Sequence, residues 1–212
     1  WITVTESQFP WEREALEFVR QEFPTHEPYR AWANFEFFGD DGSINEVDLL
    51  VLTKVGIFLI EIKSRPGTII GDAGTWTWDE NGKRFTDDNP VLLANRKCKK
   101  LKSLILRQKA ASKFKGKLPR IEPLVFCSAE NQKLQLPTDV RKNVVLRDRK
   151  AAGDQPARLG VMAAIIRGEG TGIQPSGNID KPLAKAFSQA IEQAGIRPSR
   201  KSRKVSDFVI QK

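Results

Sequence analysis

A chain of 212 residues with 40% hydrophobic content can fill one sizeable core, so we expect a single domain of about 150 to 200 residues with irregular ends. No apolar run reaches about 18 residues and no segment resembles a signal peptide, which argues against a membrane partner and predicts a cytoplasmic protein. The net charge of +9 favours polyanionic partners, of which nucleic acid is the first candidate.

The cysteines and the single histidine argue against two common site chemistries. Cys98 and Cys127 lie on different predicted elements without the spacing of a zinc site, so both are predicted to be reduced, buried or half-buried thiols. His26 stands in a loop flanked by prolines, which is typical of a solvated side chain. Neither zinc binding nor histidine-based acid–base catalysis is therefore expected.

The first predicted elements are a helix and a strand. Apolar residues at helical spacing predict a helix over Trp11–Phe23, which Pro24 ends, and Ala31–Phe38 is predicted to be the first strand. The turn Gly39–Ser43 closes that strand. The helix carries three acids, Glu12, Glu14 and Glu17. For each of them an exposed position is the ordinary interpretation.

An acidic hairpin follows. The apolar runs Val47–Leu52 and Val55–Ile62, separated by Thr53 and Lys54, are typical of two buried strands. Three charged residues interrupt them: Asp48, Glu61 and Lys63. Glu46, two residues before Asp48, is interpreted as a solvated strand start, with a supporting role near a site as the alternative.

Carboxylates on a buried hairpin need a physical reason, because an unpaired buried charge is strongly unfavourable. Side chains alternate along a strand, so Glu61 and Lys63 point to one face, where Asp48 can meet them across the hairpin. Two such carboxylates repel each other unless a cation lies between them, and hard oxygen ligands suit Mg²⁺ or Mn²⁺. The hairpin therefore predicts a metal site, with an ion pair at an exposed strand end as the alternative.

A tryptophan pair comes after the hairpin. Trp76 and Trp78 stand two residues apart in a small predicted hairpin. We interpret them as packing against the sheet, with stacking on unpaired bases as the alternative.

A basic helix is predicted from Pro90 to about Phe114, with Asn89 as its N-cap. Between Val91 and Ile121 the chain has eleven Lys or Arg and no Asp or Glu, so the like charges have no partners within the helix. A phosphate backbone would relieve their repulsion. The predicted nucleic-acid contacts are Arg96, Lys97, Lys99, Lys100, Lys102, Arg107 and Lys109. A solvated basic face that only keeps the protein soluble is the alternative.

Shorter strands and helices are predicted in the C-terminal part of the chain. Strands are predicted over Ile121–Ser128 and Asn143–Leu146, and helices over Pro156–Arg167 and Asp180–Ala194. Gly168, Gly170 and Gly172 follow no strand and precede no Gly-Lys-Thr, which argues against a phosphate-binding loop. Arg197–Lys204, with five basic residues, is predicted to be a disordered linker.

From Glu46 the sequence reads EVDLLVLTKVGIFLIEIKSRPGTIIGDAGTWTW, and Asn89-Pro90 and the basic helix follow. This pattern resembles the nuclease-related domain called NERD. The likeness covers roughly Glu12 to Leu106. Within it, Asp48 and, after twelve intervening residues, Glu61-x-Lys63 resemble the PD-(D/E)XK nuclease core. The resemblance implies an α/β fold with a restriction-endonuclease-like mixed central β-sheet flanked by helices.

The resemblance also implies the roles of the site residues. Asp48, Glu61 and the Ile62 carbonyl would hold Mg²⁺ or Mn²⁺, and Lys63 would orient or help deprotonate the attacking water. An acid on the first helix would join them: Glu14 is the candidate, with Glu12 or Glu17 as alternatives.

The function implied is that of a metal-dependent endonuclease acting on nucleic acid, with DNA as the expected substrate. A catalytically silent nucleic-acid-binding or regulatory module is the alternative. We expect a nuclease-like core over 1–150, a helical extension over 151–196, and a basic linker over 197–212. The last residues, VSDFVIQK, resemble the start of a protein-kinase domain. A nuclease-related domain followed by a kinase domain is an arrangement like that of some bacterial phage-defence kinases. Other proteins of such a defence system would be its partners.

Overall fold

The computed structural model describes residues 1–114, 118–174 and 177–200. Its strands are β1 (Ile2–Thr3), β2 (Arg30–Phe38), β3 (Ile44–Leu52), β4 (Ile57–Lys63), β5 (Thr68–Gly71), β6 (Thr75–Glu80), β7 (Lys83–Asp88), β8 (Ile121–Cys127), β9 (Lys133–Gln135), β10 (Val144–Val145) and β11 (Arg197–Pro198). Its α-helices are α1 (Pro10–Glu22), α2 (Pro90–Leu106), α3 (Thr138–Arg141) and α4 (Lys181–Gln193). A 3₁₀ helix covers Lys109–Lys113, and a π-helical turn covers Ala163–Arg167.

The central sheet is mixed and flanked by helices, as the sequence predicts. Its strands follow the order β1-β2-β3-β4-β8-β10, and β11 also pairs with β2. The β2–β3 and β3–β4 pairs are antiparallel, whereas β4, β8 and β10 run parallel. The predicted hairpin is therefore the junction between the antiparallel and the parallel half of the sheet.

Alternation along the strands sends apolar side chains into two cores, one on each face of the central sheet. On one face α2 and α4 contribute Leu101 and Phe187 to a cluster that includes Leu59. On the other face α1 contributes Val19 to a cluster that includes Ile60. Both faces of β4 are therefore covered, and only its last residue, Lys63, is partly exposed.

A second, smaller sheet has the order β7-β6-β5-β9 and packs on the edge of the central one. Trp76 and Trp78 on β6 are buried in a cluster with Val125 and Cys127 of β8. The predicted packing role of the two tryptophans is confirmed, and neither ring offers a surface for base stacking.

The helix starts follow local capping rules. The Asn89 side chain accepts a hydrogen bond from the Val91 N–H at 2.9 Å, with Pro90 in the first turn, which confirms the predicted start of α2. Asp180 caps α4 in the same way, accepting from the Leu183 N–H at 2.8 Å. The end predicted for α2 is wrong: the helix stops at Leu106, and a separate 3₁₀ helix follows after Gln108, which is extended.

The helix predicted over Pro156–Arg167 is present only in its second half. Arg158 pairs with Arg149 in an isolated β-bridge, which holds the first half extended. The Asp148 carboxylate then accepts the N–H groups of Gly160, Met162 and Ala163 at 2.7 to 3.0 Å. This carboxylate satisfies the free donors at the start of the helical segment and so fixes where it begins.

The C-terminal residues described by the structure are not the predicted disordered linker. Arg197 and Pro198 pair with β2, and the Arg200 side chain forms an ion pair with the buried Glu36 at 3.3 Å. The remainder of the predicted linker, from residue 201, and the kinase-like VSDFVIQK lie outside the described residues.

Both cysteines are buried, as predicted, and burial raises the pKa of the Cys127 thiol to about 12. The thiol therefore stays protonated and unreactive at neutral pH. Among the described residues, no helix combines the length and the apolar character needed to cross a membrane.

Replacing Phe187 with Ala is expected to lower the free energy of unfolding by about 3–5 kcal/mol, because it removes a fully buried ring from the core that α4 shares with the sheet. Urea unfolding measures this loss, and tryptophan fluorescence and circular dichroism are expected to report one common transition.

Leu92→Ala is the control, since Leu92 is 44% exposed on α2 and its loss is expected to cost less than about 1 kcal/mol. Equal stability of Phe187→Ala and wild type would show that α4 is not part of the core.

Candidate active site at the open end of the hairpin

The β3–β4 ladder stops where the acidic residues begin. Its backbone pairs run from Leu52 and Ile57 to Leu49 and Ile60, and the next opposed positions, Asp48 and Glu61, are not paired. The two strands separate here because β4 continues along β8 as far as Cys127, whereas β3 continues along β2. The opening places the carboxylates at a fork in the sheet.

The Asp48 side chain replaces one of the backbone hydrogen bonds that the two strands no longer form here. Its Oδ2 atom accepts a hydrogen bond from the Ile62 N–H at 2.8 Å, and the side chain is 9% exposed. The Lys63 carbonyl faces the other way and accepts from the Ser128 N–H at 2.9 Å. Because successive strand residues direct their backbone groups to opposite edges, the Ile62 carbonyl is directed to the edge of β4 on which Asp48 lies.

The backbone opposite Asp48 is irregular. Asn34 has a φ of +53°, and the β2–β3 ladder lacks the pair between Asn34 and Asp48. Side-chain alternation also breaks at this gap. Trp32 and Phe35 are three residues apart on β2, yet both side chains lie in the same core. The irregularity turns the strands at the point where the acidic residue stands.

Glu61 is buried between two lysines. Lys97 Nζ from α2 lies 2.7 Å from its Oε2, and Lys63 Nζ lies 3.5 Å from its Oε1. Glu61 and Lys97 are 3% and 6% exposed, so their ion pair is formed in a dry environment. The predicted convergence of Glu61 and Lys63 on one face is confirmed, and Lys63, with a side chain 30% exposed, is the member that reaches solvent.

Lys97 corrects the prediction for the basic helix. It was predicted to contact nucleic acid, but the structure buries it on Glu61 and so removes it from the solvent-facing surface. A signal was present in the sequence, because Lys97 stands one helical turn from both Leu93 and Leu101, in the apolar stripe of the helix. A lysine in such a stripe requires a buried partner.

The acid on the first helix is also placed differently from the prediction. Glu14, the sequence candidate, forms a bidentate ion pair with Arg147 and is 57% exposed. Glu12 instead lines a cavity together with Asp48 and Glu46. Of the acids on α1, Glu12 is therefore the one that the structure brings to Asp48.

This cavity is narrow and partly covered by the C-terminal segment. Its volume of about 10 Å³ is that of a single water molecule. Ser199 lies over it and donates from its hydroxyl to Glu46 Oε1 at 3.2 Å. Glu46 is thus a partner at the site border, which is the alternative that sequence reasoning left open.

The basic face of α2 is partly neutralised by the turn before β3. Lys100 pairs with Asp41 at 2.8 Å, and Arg107 pairs with Asp40. Within the described ranges, four of the predicted cations form no ion pair: Arg96, Lys99, Lys102 and Lys109. Arg96 directly precedes Lys97, and Lys97 contacts Glu61. The row of cations without an ion pair therefore starts next to the candidate site.

The donor set agrees in type with a hard divalent cation. Asp48, Glu61 and the Ile62 carbonyl present oxygen atoms, and Mg²⁺ is commonly held by one or two carboxylates plus substrate oxygens. No group of three or more His, Cys, Asp or Glu in the described part of the chain is arranged to hold an ion. A metal would therefore rely on few protein ligands and would share Glu61 with Lys97 and Lys63.

Replacing Lys97 with Met is expected to lower the free energy of unfolding by about 3–5 kcal/mol, because Glu61 would keep a buried charge with only the longer contact to Lys63. Adding Glu61→Gln to this variant is expected to recover most of the lost free energy of unfolding. Urea unfolding of the four proteins in a double-mutant cycle measures both effects.

Lys99→Met is the matched control, since Lys99 is exposed on the same helix and its replacement is expected to change stability by less than about 0.5 kcal/mol. If Lys97→Met costs no more than Lys99→Met, the buried pair does not hold α2 to β4.

Comparison with known proteins agrees with this geometry. Over 106 residues, which are 50% of the chain, the sequence is 44% identical to a protein of Streptomyces coelicolor named "Probable kinase PglW". The matched stretch spans 7% of that relative's length. No solved structure matches the chain. Residues 7–128, which include the hairpin, α2 and β8, match the family model of the nuclease-related domain. The chain belongs to the NERD family.

Proposed function

We propose that this domain is a metal-dependent nuclease of the PD-(D/E)XK type that hydrolyses phosphodiester bonds in nucleic acid, with DNA as the favoured substrate. The observation that supports this most directly is the gathering of Asp48, Glu61, Lys63 and the Ile62 carbonyl at the open end of one hairpin. Family membership supports the same class of chemistry.

Each residue has a role in this proposal. Asp48, Glu61 and the Ile62 carbonyl would hold Mg²⁺ or Mn²⁺, and the bound metal would activate water and offset charge on the scissile phosphate. Lys63 lies at the solvent end of the group, where its ammonium can orient the attacking water and stabilise the pentavalent phosphorane. Glu12 is the helix acid at this site in our proposal, in place of Glu14, because it lines the cavity beside Asp48.

The substrate approaches along the free cations of α2 in this proposal. Arg96 and Lys99 are exposed one helical turn apart, and Arg96 adjoins the lysine that contacts Glu61. A phosphate backbone lying on this face would therefore lead towards Lys63. Lys102 and Lys109 extend the same positive potential, whereas Lys100 and Arg107 are already engaged by Asp41 and Asp40.

Asp48→Asn and Lys63→Met are each expected to lower the rate of metal-dependent nicking of supercoiled plasmid by about a hundredfold or more, because each removes a group that stabilises the transition state. Glu12→Gln is expected to reduce the rate more than Glu14→Gln does. Nicking is measured with Mg²⁺, with Mn²⁺ and with EDTA.

Glu80→Gln is the control for loss of a carboxylate, since Glu80 is exposed on β6, and full activity is expected. Circular dichroism checks that each variant is folded. Wild-type activity in folded Asp48→Asn or Lys63→Met would refute the assignment of the site.

Arg96→Glu combined with Lys99→Glu is expected to weaken DNA binding and to reduce the steepness of its salt dependence by about two, because two phosphate contacts are lost. Fluorescence anisotropy of a labelled duplex at several salt concentrations measures both. The control is Lys181→Glu with Lys185→Glu, an equal charge change on the exposed side of α4. An equal loss in both variants would show that net charge alone governs binding.

One observation favours a second candidate, a nucleic-acid-binding module without catalysis. The Lys97 ammonium already neutralises Glu61 in the buried site, so the carboxylate is satisfied without a metal. In this second candidate the module is attached to a kinase domain in a phage-defence protein. The name of the relative, a probable kinase, supports the kinase domain. Salt-dependent DNA binding without nicking in any metal would favour this candidate.

A further inference from the structure

A cavity of about 720 Å³ lies at the edge of the central sheet beside β10. Its size is within the range of small-molecule sites. Its lining is distinct from that of the hairpin site and includes five apolar residues: Leu134, Val144, Val145, Leu146 and Leu159. Leu159 is 52% exposed, so part of this apolar surface is open to a ligand.

The cavity is positively charged. Arg141, Lys142 and Arg158 line it together with a single acid, Asp139, so the lining residues carry a net charge of +2. None of the three cations forms an ion pair with another residue of the described ranges. Burial and the neighbouring Arg149 both lower the pKa of Arg158, whereas Asp148 raises it. The Arg158 Nε–H donates to the Arg147 carbonyl at 2.9 Å, and its other guanidinium donors form no ion pair in the described ranges.

The loop over residues 170–172 forms part of the wall, and Gly170 and Gly172 are required there. Gly170 has a φ of +77°, and a Cβ atom on it would lie 2.9 Å from Leu159 Cβ. A Cβ atom on Gly172 would lie 2.6 Å from Lys142 Cβ, and the Gly172 N–H donates to the Lys142 carbonyl at 3.2 Å. The loop therefore packs closely against two residues of the lining.

We propose that this cavity binds a small organic phosphate of nucleotide size, with the organic part on the apolar floor and the phosphate among Arg141, Lys142 and Arg158. A phosphate monoester carries about −1.5 to −2 charges at neutral pH, which matches the net charge of +2 on the lining residues. Arginine presents a planar fork of donors suited to phosphate oxygens. The proposed site is independent of the nuclease proposal, since the two share no residue.

Isothermal titration calorimetry of the whole 212-residue chain tests the proposal with four probes: adenosine 5′-monophosphate, adenosine, inorganic phosphate and a short polyglutamate peptide. The monophosphate is expected to bind more tightly than the other three, because only it supplies both an apolar ring and a phosphate. Equal or tighter binding of inorganic phosphate or of the peptide would overturn the proposal, as would no binding of the monophosphate at millimolar concentration.

Two variants locate the site. Arg141→Glu with Lys142→Glu is expected to weaken monophosphate binding by about tenfold or more through loss of charge-assisted hydrogen bonds. Leu159→Glu is expected to have a similar effect, because it places a carboxylate on the open apolar part of the lining. Both substitutions lie at exposed positions, and circular dichroism checks the fold.

Lys133→Glu with Lys150→Glu is the matched control, an equal charge change at exposed lysines that do not line the cavity. Unchanged affinity in this control supports the site. A loss equal to that of Arg141→Glu with Lys142→Glu would assign the binding to net charge and overturn the proposal.

Discussion

The buried ion pair between Lys97 and Glu61 attaches helix α2 to the central sheet. It joins α2, which carries the basic surface, to β4, which carries Glu61 and Lys63. Charges this deeply buried are stable only with close partners and good geometry, so the position of α2 on the sheet and the position of the carboxylate are fixed together. Any nucleic acid that binds the free cations of α2 is therefore held at a constant distance from the hairpin.

The same pair constrains the chemistry of the site. In a site without Lys97, two neighbouring carboxylates would need an external cation to offset their repulsion. Here Glu61 has its own ammonium partners, and Asp48 is held by the Ile62 N–H. The group is preorganised before a metal or substrate arrives, which favours a fixed geometry but weakens the electrostatic attraction for a divalent ion. The affinity of the site for a divalent ion depends on the balance between these two effects.

Local rules predict much of this fold and part of its site. Strand alternation places Glu61 and Lys63 on one face, and the Asn89-Pro90 cap starts α2, because each depends on neighbours in sequence. The contacts that sequence reasoning missed join distant segments. Asp40 and Asp41 neutralise α2 from about 60 residues away, and Arg200 reaches Glu36 across 164. Charge composition alone cannot reveal such partners, and a basic segment such as Arg197–Arg200 therefore resembles a free linker.

The outer edge of β2 is covered by two segments that are far apart in the chain. β1 pairs with Trp32 and Ala33 from one side of Asn34, and β11 pairs with Phe35 and Glu36 from the other. An uncovered strand of this length offers a row of free backbone donors and acceptors to other molecules. The two short strands thus protect the protein against self-association through its sheet. Fragments that lack residues 1–4 or 197–200 would expose part of this edge and become prone to aggregation.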